Sequence, residues 1–189
     1  MCATNPEQLG PAWKKILIVD DHPVMRRGLA ALIESEPDFV VCGEAASCAE
    51  ALEAIRQSPP DLVIVDLVLG DDDGLSLIKA MQIRHPQIPS LVLSMHDESI
   101  YAERSLRAGA MGYVSKQQLD DDILDAIRRL LSGELYLSPP LEQRLAAKYL
   151  GGQPPEPDSP ADVLSDRELQ VFRLIGQGRT TREIAGTLN

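Results

Sequence analysis

The chain has 189 residues, 44% of them hydrophobic, enough to bury the core of one ordinary domain with a smaller piece beside it. Its formal charge of −11 lies toward the front: residues 1–132 hold 12 basic against 21 acidic side chains, 133–160 hold 2 against 4, and 161–189 hold 4 against 4. So acidic a front part repels nucleic acid and attracts cations, which argues against it as a nucleic-acid surface.

The three cysteines, Cys2, Cys42 and Cys48, lack the close CxxC spacing of a zinc or redox site and read as reduced thiols of a cytoplasmic protein. No uncharged apolar run approaches the ~20 residues of a membrane span, and the opening stretch lacks the basic and apolar regions of an export signal.

A polar, proline-containing leader (1–13) precedes KKILIVD, a short run with Ile and Val that suits a strand buried on both faces. FVVCGEA (39–45), DLVIVD (61–66), SLVLS (90–94) and MGYVS (111–115) repeat the type, so five strands are expected. Between them the apolar residues take the helical period. Met25, Leu29, Leu32 and Ile33 share a face of the first helix; Ala51, Leu52 and Ile55 share one of the second, behind a capping box of Ser47 and Glu50. Leu75, Ile78 and Met81 mark a third, Ile100 and Leu106 a shorter fourth, and Ile123, Leu124, Ile127, Leu130 and Leu131 a fifth. Strict alternation of this kind predicts an α/β fold: a doubly wound parallel sheet with helices on both faces and right-handed crossovers. Residues 135–163 read as a linker, with one helix over Leu141 to Leu150 and a GGQPPEPDSP stretch of the domain-joining kind. Residues 164–189 carry two capping boxes, Ser165 with Glu168 and Thr180 with Glu183, on either side of a GQGR turn, which is an αα pattern.

Ligands of such sheets bind at the carboxyl ends of the strands. There the sequence places Asp20, Asp21, Asp66, Ser94, Ser115 and Lys116. Two or three carboxylates offering only oxygen suit Mg²⁺, and a divalent ion explains why two adjacent like charges end a buried strand. Asp66 is then a nucleophile toward a phosphorus atom whose charge the metal and Lys116 neutralise, giving an acyl phosphate, with Ser94 donating to the new phosphoryl oxygens. Each residue also has an ordinary structural explanation. Asp20 and Asp21 fit helix caps, Ser94 a strand-end hydroxyl, Lys116 a surface lysine, and GDDDG (70–74) a solvated acidic loop. His22, His85 and His96 are scattered and read as loop or helix-end residues, not as metal ligands.

In order and spacing, VDDH, VIVDLVLGDDDGLSLI, LVLSMHD and AGAMGYVSK resemble the receiver domain of bacterial two-component response regulators, over about 14–134. The resemblance implies a flavodoxin-like fold with Asp66 as phosphoacceptor. It implies Mg²⁺ held by Asp20, Asp21, Asp66 and the carbonyl of Val68, Ser94 and Lys116 on the phosphoryl group, and Ser94 with Tyr113 as the switch. From composition alone Tyr113 is core packing. Two departures stand out: Gly70 occupies a position that is usually proline, implying a looser loop, and Gln117 replaces the proline that usually follows the lysine.

LSDRELQVFRLIGQGRTTREIAGTLN resembles the start of the LuxR-type helix-turn-helix domain of the NarL/FixJ class, in which a further helix enters the major groove. This sequence stops at Asn189, before that helix, so the expectation is a shortened natural product or an engineered piece whose DNA-contacting residues cannot be named. DNA is then a partner of the complete protein and not of these 189 residues. The resemblance implies a cytoplasmic transcription regulator that is phosphorylated by a sensor histidine kinase and dimerises on phosphorylation, with no membrane partner. Such a protein is not an enzyme in the ordinary sense, although a receiver catalyses its own phosphorylation and dephosphorylation. Three alternatives remain at this stage: a Mg²⁺-dependent aspartyl phosphatase, whose D-x-D is not matched by adjacent Asp20 and Asp21; a flavodoxin-like cofactor module, which DDHPV disfavours by its negative charge; and a receiver whose output partner is a protein.

Overall fold

The computed structural model describes residues 13–70, 72–96, 98–150, 164–176 and 178–188; residues 1–12 of the leader and the GGQPPEPDSP stretch lie outside the described residues. The chain divides into two units, Met1–Ser138 and Pro139–Asn189. In the first, β1 (Lys14–Val19), α1 (Pro23–Glu34), β2 (Phe39–Ala45), α2 (Cys48–Gln57) and β3 (Leu62–Val65) follow the expected alternation. A short hairpin, β4 (Val68–Leu69) and β5 (Asp72–Asp73), leads into α3 (Gly74–Arg84). Then come β6 (Ser90–Ser94), α4 (Glu98–Ala108), β7 (Gly112–Ser115), one 3₁₀ turn and α5 (Leu119–Leu131).

The main sheet has five strands in the order β2-β1-β3-β6-β7, and every neighbouring pair is parallel. From β1 the chain steps outward to β2, then returns past β1 to β3. Strand order therefore reverses between β1 and β3, which opens a crevice at their carboxyl ends.

Alternation along each strand sorts the apolar side chains between two layers. Ile16, Ile18, Leu62, Ile64, Leu91, Leu93 and Val114 form one core with Leu29 and Ile33 of α1 and Ile123, Ile127 and Leu130 of α5. Leu17, Val19, Val63, Val65 and Val92 alternate with them and are equally buried. Burying a side chain of this size contributes roughly 1.5–3 kcal/mol, so two such layers give the strand ends a stable platform.

Asp72 and Asp73 of the GDDDG run, expected to be a solvated loop, are instead tied into the structure. Asp73 is the N-cap of α3 and accepts from Leu75 N–H (3.3 Å), while Asp72 Oδ2 accepts from Cys48 N–H (2.9 Å) at the start of α2. Helix starts leave N–H groups without partners, and carboxylates satisfy them. Burial, with Asp72 and Asp73 beside it, pushes the Cys48 thiol up to about 12, so it stays protonated. The expected box at α2 is shifted: Ser47 accepts from Glu50 N–H, but Glu50 Oε2 takes the N–H of Ala46.

Tyr136, assigned to the linker from sequence, pairs with the open edge of β7. Tyr113 N–H donates to Tyr136 O (3.2 Å), and Tyr136 N–H donates to Met111 O (3.0 Å). The close approach requires glycine at position 112, where a Cβ would lie 2.9 Å from Leu91 Cδ1, 3.1 Å from Leu130 Cδ1 and 3.2 Å from Tyr136 Cβ.

In the second unit, α6 (Pro139–Leu150) covers the helix expected from Leu141 to Leu150. Further on, α7 (Asp166–Gly176) and α8 (Thr181–Thr187) bury Leu169, Leu174 and Ile184. Both expected capping boxes form, Glu168 accepting from Ser165 N–H (2.7 Å) and Glu183 from Thr180 N–H (2.8 Å). Among the described residues no helix is long and apolar enough to cross a membrane.

Packing at the β7 edge generates a stability prediction. Gly112→Val forces three neighbouring side chains apart, and destabilisation of about 1–3 kcal/mol is expected from overpacking. Urea denaturation checks it: the midpoint falls with little change in slope.

Candidate functional site

Register alone brings the polar strand ends together. Val19 of β1 stands beside Val65 of β3, so Asp20 and Asp66 leave adjacent strands at the same level, and Asp66 N–H donates to Val19 O (2.8 Å). Lys116 follows β7 and reaches back across the sheet, its Nζ lying 2.6 Å from Asp20 Oδ2 and 2.6 Å from Asp66 Oδ2. All three are buried, Asp66 being 5% exposed. The remaining oxygens are used differently. Asp20 Oδ1 accepts from His22 N–H (2.7 Å), whereas Asp66 Oδ1 receives only a long hydrogen bond from Val68 N–H (3.4 Å).

Asp21 completes the cluster from the β1–α1 loop. Its Oδ2 accepts from Gly70 N–H (3.1 Å), across the mouth of the crevice. A proline at position 70 has no N–H to offer, and Gly70 holds φ +62°, which proline cannot adopt. Here the departure from the family pattern therefore supplies a contact. Asp21 Oδ1 is buried without a hydrogen bond; His22 Nδ1 approaches to 2.7 Å but does not meet hydrogen-bond geometry.

The electrostatics follow from burial. Loss of solvent pushes Asp66 above its ordinary carboxylate value, and the neighbouring Asp20 charge adds to this, against the hydrogen bond and charge of Lys116. For Lys116, burial pulls downward, but hydrogen bonds to Asp20 and Asp66 outweigh it and the group ends above its usual value. Three carboxylates less one ammonium leave two negative charges uncompensated. One ligand atom from each of Asp20, Asp21, His22 and Asp66 lies within 4.8 Å of the others. An orphaned buried carboxylate oxygen, oxygen-rich donors and a charge deficit of two together fit a divalent cation.

Ser94 ends β6, is fully buried, and accepts the N–H of His96 (3.2 Å). Tyr113, 1% exposed, donates its hydroxyl hydrogen to the carbonyl of His96 (2.9 Å), so both side chains hold the same loop residue. Ser115 stands apart from the cluster in that its hydroxyl accepts Gln117 N–H in the turn after β7.

Three contributors were not apparent from sequence. Arg26 on α1 donates to the Asp20 carbonyl and, through Nε, to Glu44 Oε2 (2.9 Å), tying the β1–α1 loop to β2; nothing in its spacing marks it. A Cβ at Gly74 would meet the Asp66 carbonyl oxygen at 2.1 Å, so the start of α3 lies directly against the backbone of Asp66. A glycine following an acidic run at a helix start was the available signal. His22, read as a loop or helix-end residue, is the N-cap of α1, and its Nδ1 also lies beside the carboxylates of the cluster.

Comparison with known proteins agrees with this geometry. Residues 16–128, more than half the chain, match the response regulator receiver domain. A nitrate/nitrite response regulator protein homolog from Haemophilus influenzae is 33% identical over 174 residues, covering 92% of this chain and 81% of that protein. A two-component response regulator of the LuxR family from Aurantimonas sp. superposes with a TM-score of 0.68 at 33% identity, over 74% of this chain and 99% of that one. RcsB from Salmonella enterica, bound to a promoter with the phosphomimetic BeF₃⁻, gives a TM-score of 0.70 at 27% identity over 93% and 83% of the two chains. Another RcsB structure, at 25% identity with a TM-score of 0.65 over 94% and 83%, holds two dimers on two parallel DNAs. With its five-stranded parallel sheet and acidic crevice, this chain belongs to the two-component response regulators of the NarL/LuxR family, a receiver protein and not a conventional enzyme.

Proposed function

We propose that this chain is a cytoplasmic, phosphorylation-switched transcription regulator in which Asp66 accepts a phosphoryl group from a sensor histidine kinase. The supporting observation is the pairing of a buried Asp66 with Lys116 at 2.6 Å, inside a cluster completed by Asp20 and Asp21. Lys116 occupies Asp66 Oδ2, so the lightly held Oδ1 is the oxygen free to attack. The new bond joins this oxygen to phosphorus while the P–N bond of the donor phosphohistidine breaks and its electron pair leaves with the imidazole. Asp20, Asp21 and Asp66 would hold Mg²⁺, with the carbonyl of Val68 as the further ligand that the family resemblance implies, and the ion would supply neutralisation of charge on the phosphoryl oxygens. Lys116 then exchanges one carboxylate partner for a phosphoryl oxygen, and the Ser94 hydroxyl donates to another.

Phosphorylation favours an active arrangement only through contacts that the other arrangement lacks. Ser94 and Tyr113 both hold His96, so drawing the Ser94 hydroxyl toward a phosphoryl group disturbs a residue that Tyr113 also anchors. The output is DNA binding after dimerisation, through the LuxR-type helices; the promoter-bound RcsB relative supports this reading.

Incubation with Mg²⁺ and acetyl phosphate, followed by mass spectrometry, is expected to give one alkali-labile phosphoryl adduct. That adduct disappears in Asp66→Asn and with a chelator. An undiminished adduct in the variant would refute the assignment.

The charge balance yields a second expectation, readable without metal. Lys116→Met removes the hydrogen bond and charge that hold Asp66 down and leaves burial and Asp20, which both push it up. Carboxyl ¹³C chemical shifts of Asp66 therefore titrate at higher pH in the variant than in the parent; an unchanged or lower midpoint contradicts this account.

A further inference from the structure

We propose that His22 is a direct ligand for borderline divalent ions in the acidic cluster, so that the site separates ions such as Co²⁺ from Mg²⁺ by nitrogen coordination. The inference rests on the metal site of the proposed function and names a residue and a selectivity beyond it.

His22 occupies the N-cap of α1, where Ser, Thr, Asp or Asn usually bonds the first helical N–H groups, yet its side chain makes no capping hydrogen bond. The ring turns to the carboxylates instead. Nδ1 lies 2.7 Å from Asp21 Oδ1 and 3.3 Å from Asp20 Oδ1, with hydrogen-bond geometry to neither. Two ligands each about 2.1 Å from a shared ion and at right angles stand about 3.0 Å apart, which these separations bracket.

The partner groups are already oriented. Gly70 N–H holds Asp21 by Oδ2, leaving Oδ1 in the cluster without a hydrogen bond. Lys116 holds Asp20 by Oδ2, leaving Oδ1 on the His22 side. The His22 side chain is 68% exposed, so its other ring nitrogen can carry the proton in water while Nδ1 faces the ion.

Ligand chemistry supplies the selectivity. Mg²⁺ takes oxygen ligands and retains water, so an imidazole adds little to its binding, whereas Co²⁺ and its neighbours in the first transition row gain from nitrogen. An oxygen-only cluster does not separate the two classes by donor type.

Calorimetric titration of the full chain, without a histidine tag, tests this with Co²⁺ and Mg²⁺ separately on the parent, His22→Ala, His22→Gln and Asp21→Asn. Loss of a metal-orienting nitrogen is expected to weaken Co²⁺ binding about tenfold or more in both His22 variants, with Mg²⁺ affinity within about twofold. Asp21→Asn weakens both ions. Equal responses of Co²⁺ and Mg²⁺ to the His22 variants overturn the proposal, as does Co²⁺ binding that ignores Asp21→Asn. Failure of the parent to bind Mg²⁺ overturns the underlying metal site as well, and with it this inference. A parent that binds Mg²⁺ and takes phosphate on Asp66, but whose Co²⁺ affinity ignores His22, overturns this inference alone.

Discussion

A single ammonium group holds two buried carboxylates apart from solvent and close to each other: Lys116 between Asp20 and Asp66, at 2.6 Å from each. Without it, burial would leave two carboxylates uncompensated at the centre of the crevice, a costly arrangement in a low-dielectric site. With it, the cluster that Asp21 completes still lacks two positive charges. That remaining imbalance is what suits the strand ends to a cation. The three residues come from β1, β3 and β7, so the ion pair also records the strand order of the sheet.

The proposed site lies in the loops at one end of this sheet, and hydrogen bonds fasten those loops. Arg26 secures the β1–α1 loop, Gly70 fastens the hairpin to Asp21, and Asp72 and Asp73 attach the same hairpin to α2 and α3. Gly74 lets α3 begin against the Asp66 carbonyl. At the far side of the sheet, Tyr113 links the His96 loop to β7, whose outer edge pairs with Tyr136 on the path to the second unit.

Much of this was legible in the chain because it depends on period and order. Apolar runs with Ile and Val at fixed intervals, separated by amphipathic segments, are enough to predict a parallel sheet with covered faces, and the carboxyl-end rule then selects Asp20, Asp66, Ser94 and Lys116. The capping boxes of Ser165 and Thr180 formed because both partners lie within one turn of helix. The box at Ser47 was displaced by one residue because Glu50 found the N–H of Ala46 instead, a local competition that spacing does not reveal. GDDDG misled for a related reason: composition marked it as solvated, while Asp72 found the N–H of Cys48 on a helix start remote in the chain and Asp73 capped the helix that follows it.

Local pattern, in short-range interactions along the backbone, specified which segments became strands and helices and which charged residues stood at strand ends. Long-range approach settled the rest: that Lys116 bridges two aspartates 96 and 50 residues away, and that Arg26 through Glu44 and Gly70 through Asp21 hold the loops beside them. Those contacts depend on distance and direction between groups remote in the chain, and neither quantity exists until the sheet has assembled and brought its edges into register.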